Sequence, residues 1–323
     1  MAEESNIRFR DRTITFANGV VGESLSVLTG NPVNFHQAIR HTAQVRPITI
    51  EGKLFRPAGR APLPCVIVVP GSLGVAPSHL AHAETLTGLG IAAFVIDPFG
   101  ARDVASTVAN QTQYSFAASA YDVLAAVTRL AQRADIEASR IGAQGHSRGG
   151  SAVLSAAMRH FADAVVGTGP RLRAAYAAYP WSGHQFLDPD VGHTRVRAVI
   201  GDRDEWCSVQ QVQGHIQAIR LRGGNASLRI FAEAQHSFDR GTPIEVVPDA
   251  SVSPGAPTIY VDDDGAFFHP LSGAADASLV DRDLMVYGLK AGYGRRGAKI
   301  GSIGDQAAEF RADMVAFWRG NLL

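Results

Sequence analysis

The chain has 323 residues, 46% hydrophobic and 19% charged, which is ample apolar material for one large domain or two small ones. Its 30 basic and 30 acidic side chains cancel, so it lacks the basic excess of a nucleic-acid-binding surface. No run approaches the roughly 18 apolar residues of a membrane span, and two cysteines cannot form a disulfide framework.

The opening MAEESNIRFR has two acids and no apolar stretch of the kind a secretory signal carries, so a reduced, cytoplasmic setting is expected. IRFRDRTITF (7–16) alternates as an edge strand does, and FHQAIRHTAQ (35–44) reads as a short helix. VRPITIEGKLFRP (45–57) reads as a hairpin turning near Glu51-Gly52. The pattern then changes. CVIVVP (65–70) and IAAFVID (91–97) are continuously apolar, as strands covered on both faces are, and SHLAHAETLTGLG (78–90) between them has helical spacing.

A long amphipathic helix is expected over 116–134, then a strand at 140–145 and a small-residue helix at 149–160. Strands follow at 173–180 and 196–202, a helix at 208–224, a strand at 226–234 and a closing helix at 305–320. This alternation implies an α/β fold, a doubly wound and mostly parallel central sheet with helices on both faces. The expected organisation is one domain over 1–323, with an N-terminal extension at 1–46. Residues 240–304 contain DASVSPGAP, VDDDG and AGYGRRGAK and read as an irregular surface insertion placed to cover a site.

In such a sheet ligands sit at the carboxyl ends of the strands. There IGAQGHSRGG (141–150) sets Ser147 between Gly145 and Gly149, at the junction of strand and helix. A Gly-x-Ser-x-Gly turn in that context is a nucleophile elbow, because both glycines stand where a side chain would strike neighbouring backbone. Serine needs a base, and the base needs an orienting acid. GDRDEW supplies Asp204 just past one strand, and AEAQHSFD supplies His236 just past the last. Asp202 and Glu205 are the rival acids, and all three could instead cap the following helix. An oxyanion hole is expected from the backbone N–H of Arg148 and that of Ser72 in PGSLG, with Leu73 in reserve.

These segments resemble the α/β-hydrolase superfamily and, within it, the dienelactone hydrolase family. VVPGSLG, FVIDPFGAR, RIGAQGHSRGG, GDRDEW and AEAQHSFDR carry the resemblance, from about residue 47 to 239 and again in the final helix. It implies a nucleophile at Ser147, an acid at Asp204 and a base at His236. The family proper has cysteine at the nucleophile position and a glutamate that lines up with Gly71, so a serine-nucleophile variant acting on general carboxylic esters is the implied activity.

The expected function is therefore a carboxylic-ester hydrolase, cleaving small esters or lactones through an acyl-enzyme with no cofactor. An acyltransferase, a peptidase, a lyase using the triad as a base and a non-catalytic ligand-binding protein are the alternatives. Leu73, Trp181, Trp206 and Phe238 are candidate pocket walls, together with Tyr179 and Phe186. Neither GYGRRG nor VDDDG has the context of a dinucleotide or calcium site, and no metal motif is present. Arg102 reads as half of a structural ion pair. The expected partner is a small-molecule ester or lactone, with neither nucleic acid nor membrane, and homo-oligomer formation is left open.

Overall fold

The computed structural model describes residues 9–59 and 62–323. At one edge of the main sheet β1 (Gly22–Gly30) and β2 (Pro47–Phe55) pair antiparallel, joined through α1 (Phe35–Arg40). β3 (Leu63–Val69), α2 (Pro77–Gly88), β4 (Ala92–Asp97), α3 (Phe116–Ala131) and β5 (Ile136–His146) follow. After β5 come α4 (Arg148–Ala157), α5 (Arg159–Val166), β6 (Ala174–Ala178), β7 (His184–Phe186) and β8 (Arg195–Gly201). α6 (Val209–Leu221) and β9 (Ala226–Phe231) complete the sheet, whose order is β1-β2-β4-β3-β5-β6-β8-β9. All neighbours from β4 to β9 run parallel, while β2 joins β4 antiparallel.

Side-chain alternation along β5 separates the two layers of helix. Gly142 and Gln144 face the C-terminal helix. A methyl group at Gly142 would strike the Trp318 ring, and Trp318 Nε1 donates to Gln144 Oε1 at 2.9 Å. Gly145 faces the opposite side, where α4 begins. The core strands are fully buried from Val66 to Val68 and from Ala92 to Ile96, which is why their sequences do not alternate.

Residues 245–300 are more regular than expected. β10 (Glu245–Val252) pairs antiparallel with β14 (Arg295–Ile300) across a bulge. β11 (Ile259–Val261) lies parallel to β7, and β12 (Phe267–Phe268) and β13 (Ala275–Asp276) extend that small sheet. α7 (Asp281–Lys290) precedes β14, and α8 (Gln306–Leu322) closes the chain. The strands here are two to eight residues long, and several are open to solvent, so their sequences carry little apolar periodicity.

Four other expectations are corrected. Residues 9–11 form a 3-10 turn and only Thr15 bridges, to Val21, so no strand runs through 9–16; residues 7 and 8 lie outside the described residues. The hairpin at 45–57 is one continuous strand. Gly52 sits inside it because a methyl group there would lie 2.6 Å from the Phe94 ring, a close approach rather than a turn. Residues 22–30, expected within an extension, are an integral edge strand of the main sheet. The helix expected over 149–160 breaks at Met158, which is extended at φ −66°, ψ 119°.

Candidate active site

Ser147 stands between the end of β5 and the first residue of α4 with φ 54° and ψ −116°. Such a conformation costs an ordinary L-residue on the order of 1–3 kcal/mol and persists only where its surroundings impose it. Here the Ser147 amide donates to the Ala178 carbonyl at 2.9 Å, fixing the turn against β6. A methyl group at Gly145 would collide with the Gly149 backbone, and one at Gly149 would collide with the carbonyls of Val69 and Pro70. Gly71 packs less tightly, its would-be Cβ 3.1 Å from the His146 carbonyl oxygen and 3.3 Å from the Ser147 Cβ.

The loops after β8 and β9 arrive beside this turn because Gly201 lets the Ala234 carbonyl sit against the end of β8. Arg203 N also donates to Ala234 O at 3.0 Å, tying the two loops together. Asp204 Oδ1 accepts from the amides of Trp206 (2.8 Å) and Cys207 (2.9 Å), which leaves Oδ2 free to face His236. His236 Nδ1 lies 2.8 Å from Asp204 Oδ2, and His236 Nε2 lies 2.9 Å from Ser147 Oγ. A carboxylate only accepts, so Nδ1–H donates to it and Nε2 is left to accept the serine hydroxyl proton. Trp206 stacks on the imidazole at 5.1 Å and Tyr179 meets its face at 4.6 Å.

The rival acids point elsewhere. Asp202 is exposed, and Glu205 pairs with Lys299 at 3.3 Å and accepts from its amide. The segment expected to cover the site also braces it. Trp206 Nε1 donates to Lys299 O at 2.8 Å and Gly301 N donates to His236 O at 3.0 Å.

Ser147 separates two cavities. The larger, about 1000 Å³ with its mouth, is walled by Phe116, Trp181 and Trp206, and by Ile259, Leu284 and Met285 from the 245–300 region. The smaller, about 430 Å³, adjoins Leu73, His236 and Arg240. Ser72 borders both and is buried, its hydroxyl donating to Gln111 Oε1 at 3.0 Å. Arg148 opens α4, so its amide has no acceptor within the helix. Its buried guanidinium donates to the carbonyls of Gln111 and Tyr114 at 2.7 and 2.6 Å.

The structure thus brings Ser147, Asp204 and His236 into one hydrogen-bonded line, flanked by Ser72 and Arg148. Leu73, Trp181 and Trp206 border the cavities. Phe238 does not: the turn at Ser237 (φ 55°) sends its ring inward against Phe231 at 4.7 Å and Phe310 at 5.7 Å. Phe186 likewise packs on Phe35 in the core, at 5.1 Å. Arg102 makes the buried ion pair expected of it, with Asp122 at 2.8 Å. Sequence reading missed Phe116, His184 and Asp281 as cavity walls. Only the amphipathic start of α3 and the acid heading α7 hinted at them.

Among the described residues, two groups have ligand atoms close enough to hold a metal, Asp204–Cys207–His236 and His82–His146–Asp239. Their carboxylates and imidazoles already bond one another or close neighbours, and burial pushes the Cys207 thiol far above its usual range, away from the thiolate a metal needs. Both read as hydrogen-bond assemblies.

Comparison with known proteins meets this geometry. The model of the dienelactone hydrolase family matches residues 50–253, more than half of the chain. The chain belongs to that family. Its fold is the α/β-hydrolase fold, as in the solved structure m3DLH, which is 18% identical over 68% of this chain and 86% of that one, at a TM-score of 0.53. Est1E from Butyrivibrio proteoclasticus is 19% identical over 58% of this chain and 86% of its own (TM-score 0.43). A dienelactone hydrolase-like promiscuous phosphotriesterase from metagenomic libraries is 16% identical over 85% and 100% (TM-score 0.48). At 18% identity the likeness to m3DLH speaks for the fold alone. No curated protein matches the chain. Among the described residues, no helix of this family member is long and apolar enough to cross a membrane.

Proposed function

We propose that this member of the dienelactone hydrolase family is a serine hydrolase that cleaves small carboxylic esters or lactones through an acyl-enzyme on Ser147. The observation that carries the reading is the unbroken line Asp204–His236–Ser147, with spacings of 2.8 and 2.9 Å, opening on an apolar cavity. His236 Nε2 takes the Ser147 proton as Oγ attacks the ester carbonyl. The amides of Ser72 and Arg148 hold the oxyanion, each such donor contributing about 3–4 kcal/mol at the transition state. His236 passes its proton to the leaving alkoxide, and the acyl group stays on Oγ. The imidazole then deprotonates water, which attacks the acyl carbon, and it returns that proton to Oγ as the Oγ–acyl bond breaks and the acid is freed. Asp204 holds the Nδ1–H tautomer and stabilises the imidazolium formed twice in the cycle. No step draws on a metal or organic cofactor.

The 245–300 region is assigned here as the cover that shapes the larger cavity, since β11 and α7 supply much of its wall. Its apolar lining favours esters whose acid or alcohol part is a compact hydrocarbon or aryl group.

The test is release of acid from short p-nitrophenyl esters, paired with fluorophosphonate labelling. The wild-type chain is expected to turn over and to label once. Ser147→Ala should lose label altogether and lower kcat by a factor on the order of 10⁴–10⁶. Undiminished turnover in Ser147→Ala would falsify the mechanism. Transfer of the acyl group to added alcohols or amines in preference to water would reassign the chain as a transferase.

A further inference from the structure

The wall of the larger cavity contains a pair of buried polar groups that the protein leaves unsatisfied. Asp281, first residue of α7, accepts from the Phe116 amide on Oδ2 at 2.8 Å, but its Oδ1 has no partner. His184, first residue of β7, has no partner for Nδ1. These two atoms lie 3.7 Å apart, too far to bond each other, and the side chains are 6% and 7% exposed. An unmet buried polar group costs about 1–3 kcal/mol, and one small polar group seated beside the pair, in reach of both atoms, would relieve both. The pair spans two parts of the chain. β11 aligns its Ile259 with His184, and that pairing carries the segment leading to α7 over the cavity.

The chemistry of the pair narrows what fits. A carboxylate only accepts hydrogen bonds, and a neutral imidazole offers one N–H and one acceptor. Burial pushes the His184 imidazole down to about 3, so it is neutral at any working pH. A group satisfying both atoms donates to Asp281 and accepts from His184, which describes a hydroxyl. A ligand carboxylate would meet Asp281 as a like charge. An ammonium would be brought toward the Arg148 guanidinium, which lies 4.1 Å from the Phe116 ring on the same wall and has no carboxylate within ion-pair range among the described residues. Around the pair, Phe116 and Trp181 stack at 4.5 Å and both meet His184 in T-shaped contacts, at 5.5 and 4.7 Å. Those faces suit an apolar skeleton carrying the hydroxyl.

We propose that His184 and Asp281 form a hydroxyl-recognising subsite, and that the preferred esters bear a hydroxyl on the apolar part held in the larger cavity. This rests on the ester-hydrolase reading for its use in turnover, but the binding preference stands independently of it.

The experiment uses matched pairs on the full chain. For the acid side these are ethyl phenylpropanoate and its para-hydroxy analogue, and for the alcohol side phenethyl acetate and its para-hydroxy analogue. In one of the two pairs kcat/KM is expected to favour the hydroxylated ester by about tenfold to a hundredfold, the range of a hydrogen bond to a charged acceptor. His184→Phe and Asp281→Ala should each bring that ratio toward one. Calorimetric binding of the corresponding acids and alcohols to the wild-type chain reads the same preference without variants and without turnover. A retained binding preference with no ester turnover would break the ester reading and leave the subsite standing. Turnover with ratios near one in both pairs, or a ratio that survives both substitutions, would overturn the subsite and mark the gap as a place for a bridging water only.

Discussion

Two buried imidazole neighbourhoods flank Ser147, and they are built on opposite terms. Behind the nucleophile every donor finds an acceptor in one directed chain. Trp318 Nε1 donates to Gln144 Oε1, and Gln144 Nε2 meets His146 Nε2 at 3.1 Å. His146 Nδ1 meets Tyr179 Oη at 3.0 Å, and Tyr179 donates to Asp239 Oδ1 at 2.6 Å. His82 Nε2 meets the other Asp239 oxygen at 2.7 Å. In front, His184 and Asp281 at the cavity wall and His215 behind them all keep polar atoms without partners. The closed assembly has its hydrogen bonds spent within itself from Trp318 to Asp239, and it holds the elbow and the His236 loop. The open one has capacity and little else to do with it.

The sharpest way to break this contrast is to remove a hub from each side. Burial alone would raise the Asp239 carboxyl, but the hydrogen bond from His82, the field of the imidazoles and the Tyr179 hydroxyl outweigh it and hold the group well below the usual carboxylate range. Asp239→Ala leaves two buried donors unmet and a void beside them, so a loss of about 3–5 kcal/mol is expected in denaturant melts. A loss under about 1 kcal/mol would mean the assembly is decoration.

The open side responds in the other direction. Burial pushes Asp281 up to about 6, against the Phe116 amide and the Arg148 charge. An unfolded aspartate titrates near ~3.9, so between roughly pH 4 and 6 the folded chain keeps a proton that the unfolded chain has lost. The contribution of this group to stability therefore falls as pH rises through that window, by about 3 kcal/mol in all. Asp281→Asn does not titrate. Its stability relative to wild type should climb by about that amount between pH 4 and pH 8, and parallel pH profiles would sink the assignment.

What could be read from the sequence follows the same division. The parallel strands were legible because burial on both faces leaves runs such as CVIVV without alternation. The loops bearing Asp204 and His236 were legible because strand ends locate them. β1 was not, because its second half inverts the polar and apolar faces: Leu28 faces solvent, 71% exposed, while Thr29 is buried at 5%. Proximity in sequence to His236 misled the reading of Phe238, since one left-handed residue reversed its direction. The cavity wall was illegible for a different reason. His184 lies on a three-residue strand and Asp281 heads a helix in a region of weak periodicity, and only their meeting in space gives either a meaning.

The smallest expected effect separates a reserved polar atom from a merely tolerated one. His215, 3% exposed on α6, has neither ring nitrogen bonded, and it borders a small gap beside Phe116, Trp181 and His184. Burial pushes its imidazole down to about 4, so it is neutral and its two polar atoms are simply desolvated. Replacing an unpartnered polar side chain by an apolar one of similar size removes that penalty at little cost in packing. His215→Leu is therefore expected to raise stability by about 1 kcal/mol, read from the denaturation midpoint at unchanged slope. A loss of the same size would mean that something small and polar occupies the gap, extending the hydroxyl subsite one side chain deeper than His184.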